Sequence, residues 1–302
     1  MDLRQLRYFS RVAESGSFRE AAARANVAQS ALSRHIRALE DELGVLLMER
    51  HARGIRLTPD GERLKTRADA ILRDVEETRA ELTTTQASPR GTVTLGASST
   101  TSRLLYARLA EAASRRYPDI DLRITEGASY FLLESMDTGT IDLAIMVDPE
   151  HRDYLSNEAL VTEKVYLVGS PRHADLPAGR CTALDLVDRP MVLFSRPSGG
   201  RAQLEKAAAA QNVTVNVRFE AASPDVIKDF VGRGLGYAMM PYSSIFKEVQ
   251  NGELVAVEFD GFEMTRTFMW RTDRPSTSAA NAIADLVREE FRALAEEGAF
   301  GV

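Results

Sequence analysis

Residues 29–40 read Gln29-Ser30-Ala31-Leu32-Ser33-Arg34-His35-Ile36-Arg37-Ala38-Leu39-Glu40, and two faces of one helix are visible in them. Leu32, Ile36, Leu39 and, further on, Leu43 recur at helical spacing and predict one continuous buried face. Ser30, Ser33, Arg34 and Arg37 fall on the other side, with Gln29 at its N-terminal end. Arginine and glutamine make bidentate contacts with base edges, and serine reaches a base or a phosphate. A helix N-terminus also favours a nearby phosphate. The acids Glu40, Asp41 and Glu42 are confined to the C-terminal part. Taken alone, such a helix reads more readily as the solvated member of a bundle; its neighbours reverse that reading.

Towards the N-terminus, a helix is expected from about Asp2 to Glu14, with Leu3, Leu6, Phe9 and Ala13 as its apolar stripe. Ser15-Gly16-Ser17 breaks it, and Ser17 is a good N-cap for a short helix from Phe18 to Ala25. Ala21, Ala22, Ala23 and Ala25 dominate that helix, and small side chains let a crossing helix approach closely. Asn26-Val27 makes a brief turn before the reading helix, expected from about Ala28 to Leu43, ahead of Gly44. A short alanine-rich helix, a tight turn and a serine-arginine face together are a helix-turn-helix. On the other side, Ile55 and Leu57 alternate with Arg56 as a half-buried strand should, and Arg50, Arg53 and Arg56 surround Gly54. Three arginines beside a reading helix point to phosphate or the minor groove.

These residues carry a family resemblance. Leu3-Arg4-Gln5-Leu6-Arg7-Tyr8-Phe9, Gly16-Ser17-Phe18-Arg19-Glu20-Ala21-Ala22, the stretch 29–40 and Leu57-Thr58-Pro59-Asp60-Gly61 make residues 1–64 resemble the winged helix-turn-helix of the LysR-type regulators. Two positions depart from the commonest pattern, Ser30 where many members have proline and Met48 where most have phenylalanine. Serine suits a first helical turn, and methionine fills a core slot adaptably. The resemblance implies a two-stranded wing between Leu47 and Thr58. With it, Gln29, Ser30, Ser33, Arg34, Arg37, Arg50 and Arg53 become the candidate DNA-binding residues.

Thr58 and Pro59 open a long helix expected to reach about Gln86. Leu64, Ala68, Ile71, Val75, Thr78 and Leu82 alternate spacings of four and three, a heptad seam flanked by charges. An amphipathic helix lying on its own domain would show a similar pattern, but the length and the charged flanks favour a two-chain contact. The resemblance implies the same: a homodimer, often doubled to a homotetramer, that places two reading helices on a near-palindromic site in double-stranded DNA. Residues 83–91, Thr83-Thr84-Thr85-Gln86-Ala87-Ser88-Pro89-Arg90-Gly91, are rich in helix-interrupting types and read as a hinge.

Beyond Gly91 strands and helices alternate. Strands are expected at Val93–Ala97, Asp121–Glu126, Ile141–Val147, Val165–Gly169, Met191–Ser195, Val213–Ala221, Gly236–Met240 and Arg266–Trp270. Helices are expected at Arg103–Tyr117, Tyr130–Asp137, Arg201–Gln211, Pro224–Val231 and Ser278 to Glu297. That is an α/β fold with helices on both faces of a sheet. Tyr117-Pro118-Asp119-Ile120, Asp142-Leu143-Ala144-Ile145 and residues 231–241 resemble the family's co-inducer domain, which is similar to periplasmic solute-binding proteins. The organisation expected is 1–58 winged helix-turn-helix, 59–87 linker helix, 88–91 hinge and 92–302 effector domain. Two subdomains, about 92–161 with 266–302 and about 162–265, would be joined by crossings near residues 161 and 266.

Ligands of open α/β sheets sit beyond the carboxyl ends of strands. There stand five hydroxyls in succession, Ser98-Ser99-Thr100-Thr101-Ser102, at a helix N-terminus. One suffices to cap a helix; hydroxyls with free backbone N–H groups form a receptor for an anion such as a carboxylate. Ser195 and Arg196 form the matching lip, Arg196 as counter-charge or as an ordinary exposed arginine, and Ser129 edges the site. Ser98, Ser99, Thr100, Thr101, Ser129, Ser195 and Arg196 are thus the candidate effector-binding residues.

Net charge of −6 argues against nucleic acid until it is divided along the chain. Residues 1–65 hold twelve Lys/Arg against nine Asp/Glu, a net +3, which leaves 26 against 35, a net −9, for the rest. Cys181 is the single cysteine, so neither an intramolecular disulfide nor a cysteine metal site is expected. His35, His51, His151 and His173 show no ligand spacing. No apolar run approaches the ~18 residues of a membrane span, and the charged start, residues 1–7, lacks the core of a secretory signal. The expectation is a cytoplasmic regulator without metal, cofactor or catalytic residues. An enzyme or an uptake solute-binding protein built on the same α/β cleft is the alternative, and it leaves the reading helix unexplained.

Overall fold

Asp2 and Gln5 bond reciprocally, Gln5 N–H to the Asp2 carboxylate (2.7 Å) and Asp2 N–H to the Gln5 side chain (2.8 Å), so the first helix opens on a capping box. The computed structural model that shows this describes residues 1–51, 54–83, 88–147, 149–172, 175–196, 198–273 and 275–301, with backbone alone at residues 50, 76, 77 and 80–83. Two compact units emerge, Met1–Ala87 with Asp137–Thr140, and Ser88–Met136 with Ile141–Val302.

In the first unit α1 (Leu3–Ser15) stops at Gly16, whose φ of 63° is left-handed. The Ser17 hydroxyl then caps α2 (Phe18–Ala25), and Asn26 turns the chain towards α3 (Gln29–Leu43). Leu6, Phe9 and Val12 of α1, Phe18, Ala21 and Ala22 of α2, and Leu32, Ile36 and Leu39 of α3 form the core. Leu43 does not join them, being 40% exposed. Helical spacing places it on the same face, but the last turn of α3 overshoots the core, and Leu47 and Met48 close that end instead. An antiparallel wing follows, β1 (Met48–His51) and β2 (Gly54–Leu57), with Met48 opposite Leu57 and His51 opposite Gly54.

Thr58 holds the start of α4 (Pro59–Thr83) by accepting from Gly61 N–H (3.0 Å) while donating to Leu46 O (2.6 Å). The helix carries two apolar rows rather than one seam. Ala68 is fully buried, with Leu64 and Leu72 packed beside it on the core of α1–α3. Ser10 fixes this contact by donating to Asp69 (2.5 Å). Residues four apart share a helix face, so Leu64, Ala68 and Leu72 form the inward row. Ile71, 38% exposed, starts the neighbouring row with Val75 and Thr78. Leu64 and Ala68, the first two positions of the expected seam, are therefore used within the unit.

The second unit runs β3 (Gly91–Ala97), α5 (Ser99–Arg116), β4 (Ile120–Glu126), α6 (Ser129–Asp137), β5 (Leu143–Val147), β6 (Leu155–Gly169), β7 (Met191–Phe194) and α7 (Gly199–Ala210). It continues with β8 (Val217–Ala221), α8 (Pro224–Gly232), β9 (Ala238–Pro241), α9 (Phe246–Gln250), β10 (Val255–Arg271) and α10 (Ser278–Glu296). One sheet has the order β4-β3-β5-β10-β6-β9, and β7 pairs with β8 apart from it. The strands β6 and β10 are far longer than the expected Val165–Gly169 and Arg266–Trp270. Their added residues are polar on the outward phase and hide the strand from any search for apolar runs. Along this antiparallel pair Val161 lies opposite Arg266, and a bulge follows before Thr267 meets Ala159.

Among the described residues, two core regions along these strands are the largest. Around Phe268 gather Leu105 and Leu109 of α5 with Ile283, Leu286, Val287 and Phe291 of α10. Around Val165 and Leu167 gather Cys181, Leu193, Leu204 and Phe259. Each fully buried Leu, Val or Phe contributes about 1.5–3 kcal/mol, so both regions are substantial.

Candidate DNA-reading face and effector site

The candidate reading face is built by the packing of α3. With Leu32, Ile36 and Leu39 turned inward, Gln29, Ser30, Arg34 and Arg37 are exposed and Ser33 is half-buried. Ala28 precedes the helix without a side-chain cap, and with Ala31 N–H bonded to Ala28 O, the N–H groups of Gln29 and Ser30 stay available to an acceptor. The neighbouring acids are engaged. Glu40 accepts from the backbone N–H of Leu47 (2.8 Å) and Met48 (3.3 Å), and Glu42 meets the N-terminal ammonium. Glu20 is paired with Arg24 at 2.6 Å. A donor-rich face at an open helix end is what a phosphate backbone and base edges require. In the wing Arg56 is exposed, and Arg50 stands opposite Ile55, described by its backbone alone. Arg53 lies outside the described residues.

At the start of α5 the hydroxyls are divided. Helical rotation turns Thr101 and Ser102 inward, where both are buried, and leaves Ser98, Ser99 and Thr100 partly exposed. Ser102 donates to Glu126 (2.5 Å). Thr101 and Thr100 both accept from Nη1 of Arg266, Thr100 at 3.2 Å. The expected five-hydroxyl receptor is thereby reduced to the hydroxyls of Ser98, Ser99 and Thr100 plus the N–H groups of Ser99 and Thr100, because Thr101 and Ser102 are buried.

Arg266 was not among the sequence candidates, and it is fully buried. Its Nε donates to Glu163 Oε1 (2.6 Å) and its Nη2 to Ser243 Oγ (2.7 Å). Glu163, 1% exposed, also accepts from Ser243 N–H (3.1 Å). The pair sits diagonally on one face of the β6–β10 ladder, since Glu163 is opposite Met264 while Arg266 is opposite Val161. Such a buried pair is tolerated only when its remaining polar atoms are satisfied, as they are here by Thr100, Thr101 and Ser243.

The second lip is organised differently. Arg196 is exposed and bonded to Glu205 at 2.6 Å, which also accepts from Arg201 (2.9 Å). These two guanidiniums hold the Glu205 carboxyl below its ordinary range. Ser195 donates its N–H to Ala221 O, and the Ser129 hydroxyl contacts Val147 O at 3.5 Å. The cation that the structure brings to the hydroxyls is Arg266, and the Arg196 charge is balanced by Glu205 of α7.

Among the described residues no group of three or more His, Cys, Asp or Glu is placed to hold a metal ion. No helix there is long and apolar enough to cross a membrane.

Comparison with known proteins decides the class. The model of the bacterial regulatory helix-turn-helix protein, lysR family, matches residues 3–62, and that of the LysR substrate binding domain matches residues 86–292. The chain belongs to the LysR family. It is 31% identical over 303 residues to the HTH-type transcriptional regulator BbuR of Bordetella bronchiseptica, covering 99% of this chain and 92% of that one. It is 26% identical to the RuBisCO operon transcriptional regulator of Allochromatium vinosum, with 96% of each covered. A full-length OxyR variant from Pseudomonas aeruginosa superposes with a TM-score of 0.73 at 25% identity, over 97% of this chain and 95% of that one. The family consists of DNA-binding transcriptional regulators with a substrate-binding effector domain, and these relatives carry regulator names, not enzyme names.

Proposed function

We propose that this LysR-family regulator reads a near-palindromic operator with Gln29, Ser30, Ser33, Arg34 and Arg37 of α3, steadied on phosphate by Arg50, Arg53 and Arg56, and that a small anionic effector bound at the start of α5 sets its operator affinity. Residues 1–58 form the DNA-binding domain, 59–87 the dimerising linker, 88–91 the hinge and 92–302 the effector domain. The subdomains meet across β6 and β10 near residues 161 and 266. The outward row from Ile71 supports pairing of two copies, and two such pairs make the homotetramer. Its place of action is the cytoplasm, where the operator is.

The observation that carries the effector reading is the set of donors left uncommitted at the start of α5. Backbone N–H groups of Ser99 and Thr100 have no partner within the helix. Beside them the Ser99 hydroxyl has none among the described residues, and a buried guanidinium stands behind Thr100. Cys181 favours a non-covalent effector. It is the single cysteine, fully buried, and burial pushes its thiol up to about 12, so it carries no thiolate at neutral pH.

The test begins with genomic fragments retained by the protein. On the recovered site Arg34→Ala is expected to cost about 1–3 kcal/mol and relax base preference, whereas Arg56→Ala weakens all sequences alike and flattens the salt dependence. Parent-like binding by both variants would place the reading face elsewhere.

A further inference from the structure

We infer that Arg266 and Glu163 are positioning residues for effector recognition: as a buried ion pair they orient the hydroxyl protons at the start of α5, so that this loop presents donors to an oxyanion. The inference rests on the effector reading above and adds the buried pair that orients its donors.

Arginine stays protonated and accepts no hydrogen bond, so every bond it makes imposes a direction. Nη1 donates to Thr101 Oγ1, and Thr101 is fully buried. Its own proton needs an acceptor, and Ser98 Oγ, 2.9 Å away, is the one available among the described residues. Nη1 also donates to Thr100 Oγ1 (3.2 Å). Ser98 and Thr100 thus both receive a bond from the buried side. Their mutual contact at 3.4 Å absorbs at most one of their two protons. The other remains for a ligand, beside the Ser99 hydroxyl and the first-turn N–H groups of α5. An acceptor oxygen satisfies this set; an ammonium group would meet the Ser99 and Thr100 N–H groups donor to donor.

Glu163 gives the arrangement its second property. It neutralises Arg266 on the side remote from the hydroxyls, through Nε at 2.6 Å, and Ser243 bonds to both partners. Net charge is cancelled inside the protein while the direction of the donors persists. Carboxylate, sulfonate and phosphate oxygens share the required chemistry, and hydrogen-bond polarity distinguishes them from amines.

The experiment uses the full-length chain, with thermal shift and isothermal titration against a panel of mono- and dicarboxylates, sulfate and phosphate. Each acid is paired with the matching amine at equal ionic strength. The parent is expected to bind acids and not amines. Thr101→Val keeps the shape and removes the relay, and it should weaken the best acid by about tenfold to a hundredfold. Thr101→Ser keeps the relay and loses a methyl group, and it should bind that acid nearly as the parent does. Glu163→Leu/Arg266→Met leaves no unpaired buried charge and should lose the preference for acid over amine. A merely packing role for Thr101 predicts the reverse order, valine tolerated and serine impaired. That order, or an undiminished acid preference in the double variant, overturns the inference; the effector site itself stands if Ser99→Ala/Thr100→Ala still abolishes binding. A parent that binds none of the acids, or binds the amines equally, overturns both readings.

Discussion

Removing one partner of the Glu163–Arg266 pair tests how far the effector domain depends on it. Glu163→Leu takes away the acceptor of Arg266 Nε and of Ser243 N–H and leaves a guanidinium with zero exposure and no counter-charge. Breaking a buried pair in this way costs about 3–5 kcal/mol. Removing both charges in Glu163→Leu/Arg266→Met avoids the stranded cation. Beyond the Ser243 N–H acceptor, lost in both variants, it forfeits the Arg266 bonds to buried Thr101 and Ser243, at about 1 kcal/mol each, and the weaker one to Thr100. The single variant should therefore be less stable than the double one by about 1–3 kcal/mol. Trp270, the only tryptophan, lies on β10 with its ring 5.5 Å from that of Phe268, so its fluorescence follows this unit and not the DNA-binding one. In urea unfolding with a slope of about 1–3 kcal/mol per molar, the single variant's midpoint should fall clearly below that of the double one. Equal midpoints for the two variants would refute the argument, because the stranded charge would then carry no penalty.

Two further expectations concern assembly and the thiol. Ile71→Asp places a charge in the outward row of α4, and analytical ultracentrifugation should show more monomer and operator binding should weaken; an unchanged assembly would remove the linker contact. Cys181 should resist thiol reagents in the folded protein and react once it is unfolded. Its folded value is raised from 9.0 to about 12, so its stabilising effect is complete below pH 9 and is lost as pH rises from there towards 12, and parent and Cys181→Ala should converge across that window. Rapid labelling of the native protein at neutral pH would contradict the buried placement.

The DNA-binding unit was largely legible because its signals are local. Capping residues, glycine stops and the Leu32–Ile36–Leu39 spacing each act within a few residues. Two readings failed at the edge of that locality. Spacing placed Leu43 on the buried face but could not say where the core ends, and Leu47 and Met48 took that place. On α4, two adjacent rows were read as one seam, since period alone does not separate the stripe facing α1 from the one facing away.

The proposed effector site was legible only by its ligand-side half. A run of hydroxyls after a strand is visible in the sequence, whereas the partner that fixes them lies 165 residues away on β10. A signal was nonetheless present. Glu163 stands in phase with Val165 and Leu167, and Arg266 in phase with Phe268, so each charge occupies an inward position of a strand with period two. A charge at such a position must be paired, and two opposite charges on different strands make a natural pair. Only the register then decides whether they meet, because a shift of one residue would turn either side chain to the opposite face. Val161 opposite Arg266 sets Glu163 diagonally beside it, and this one alignment turns the serine-threonine run from a solvated helix start into an oriented set of donors.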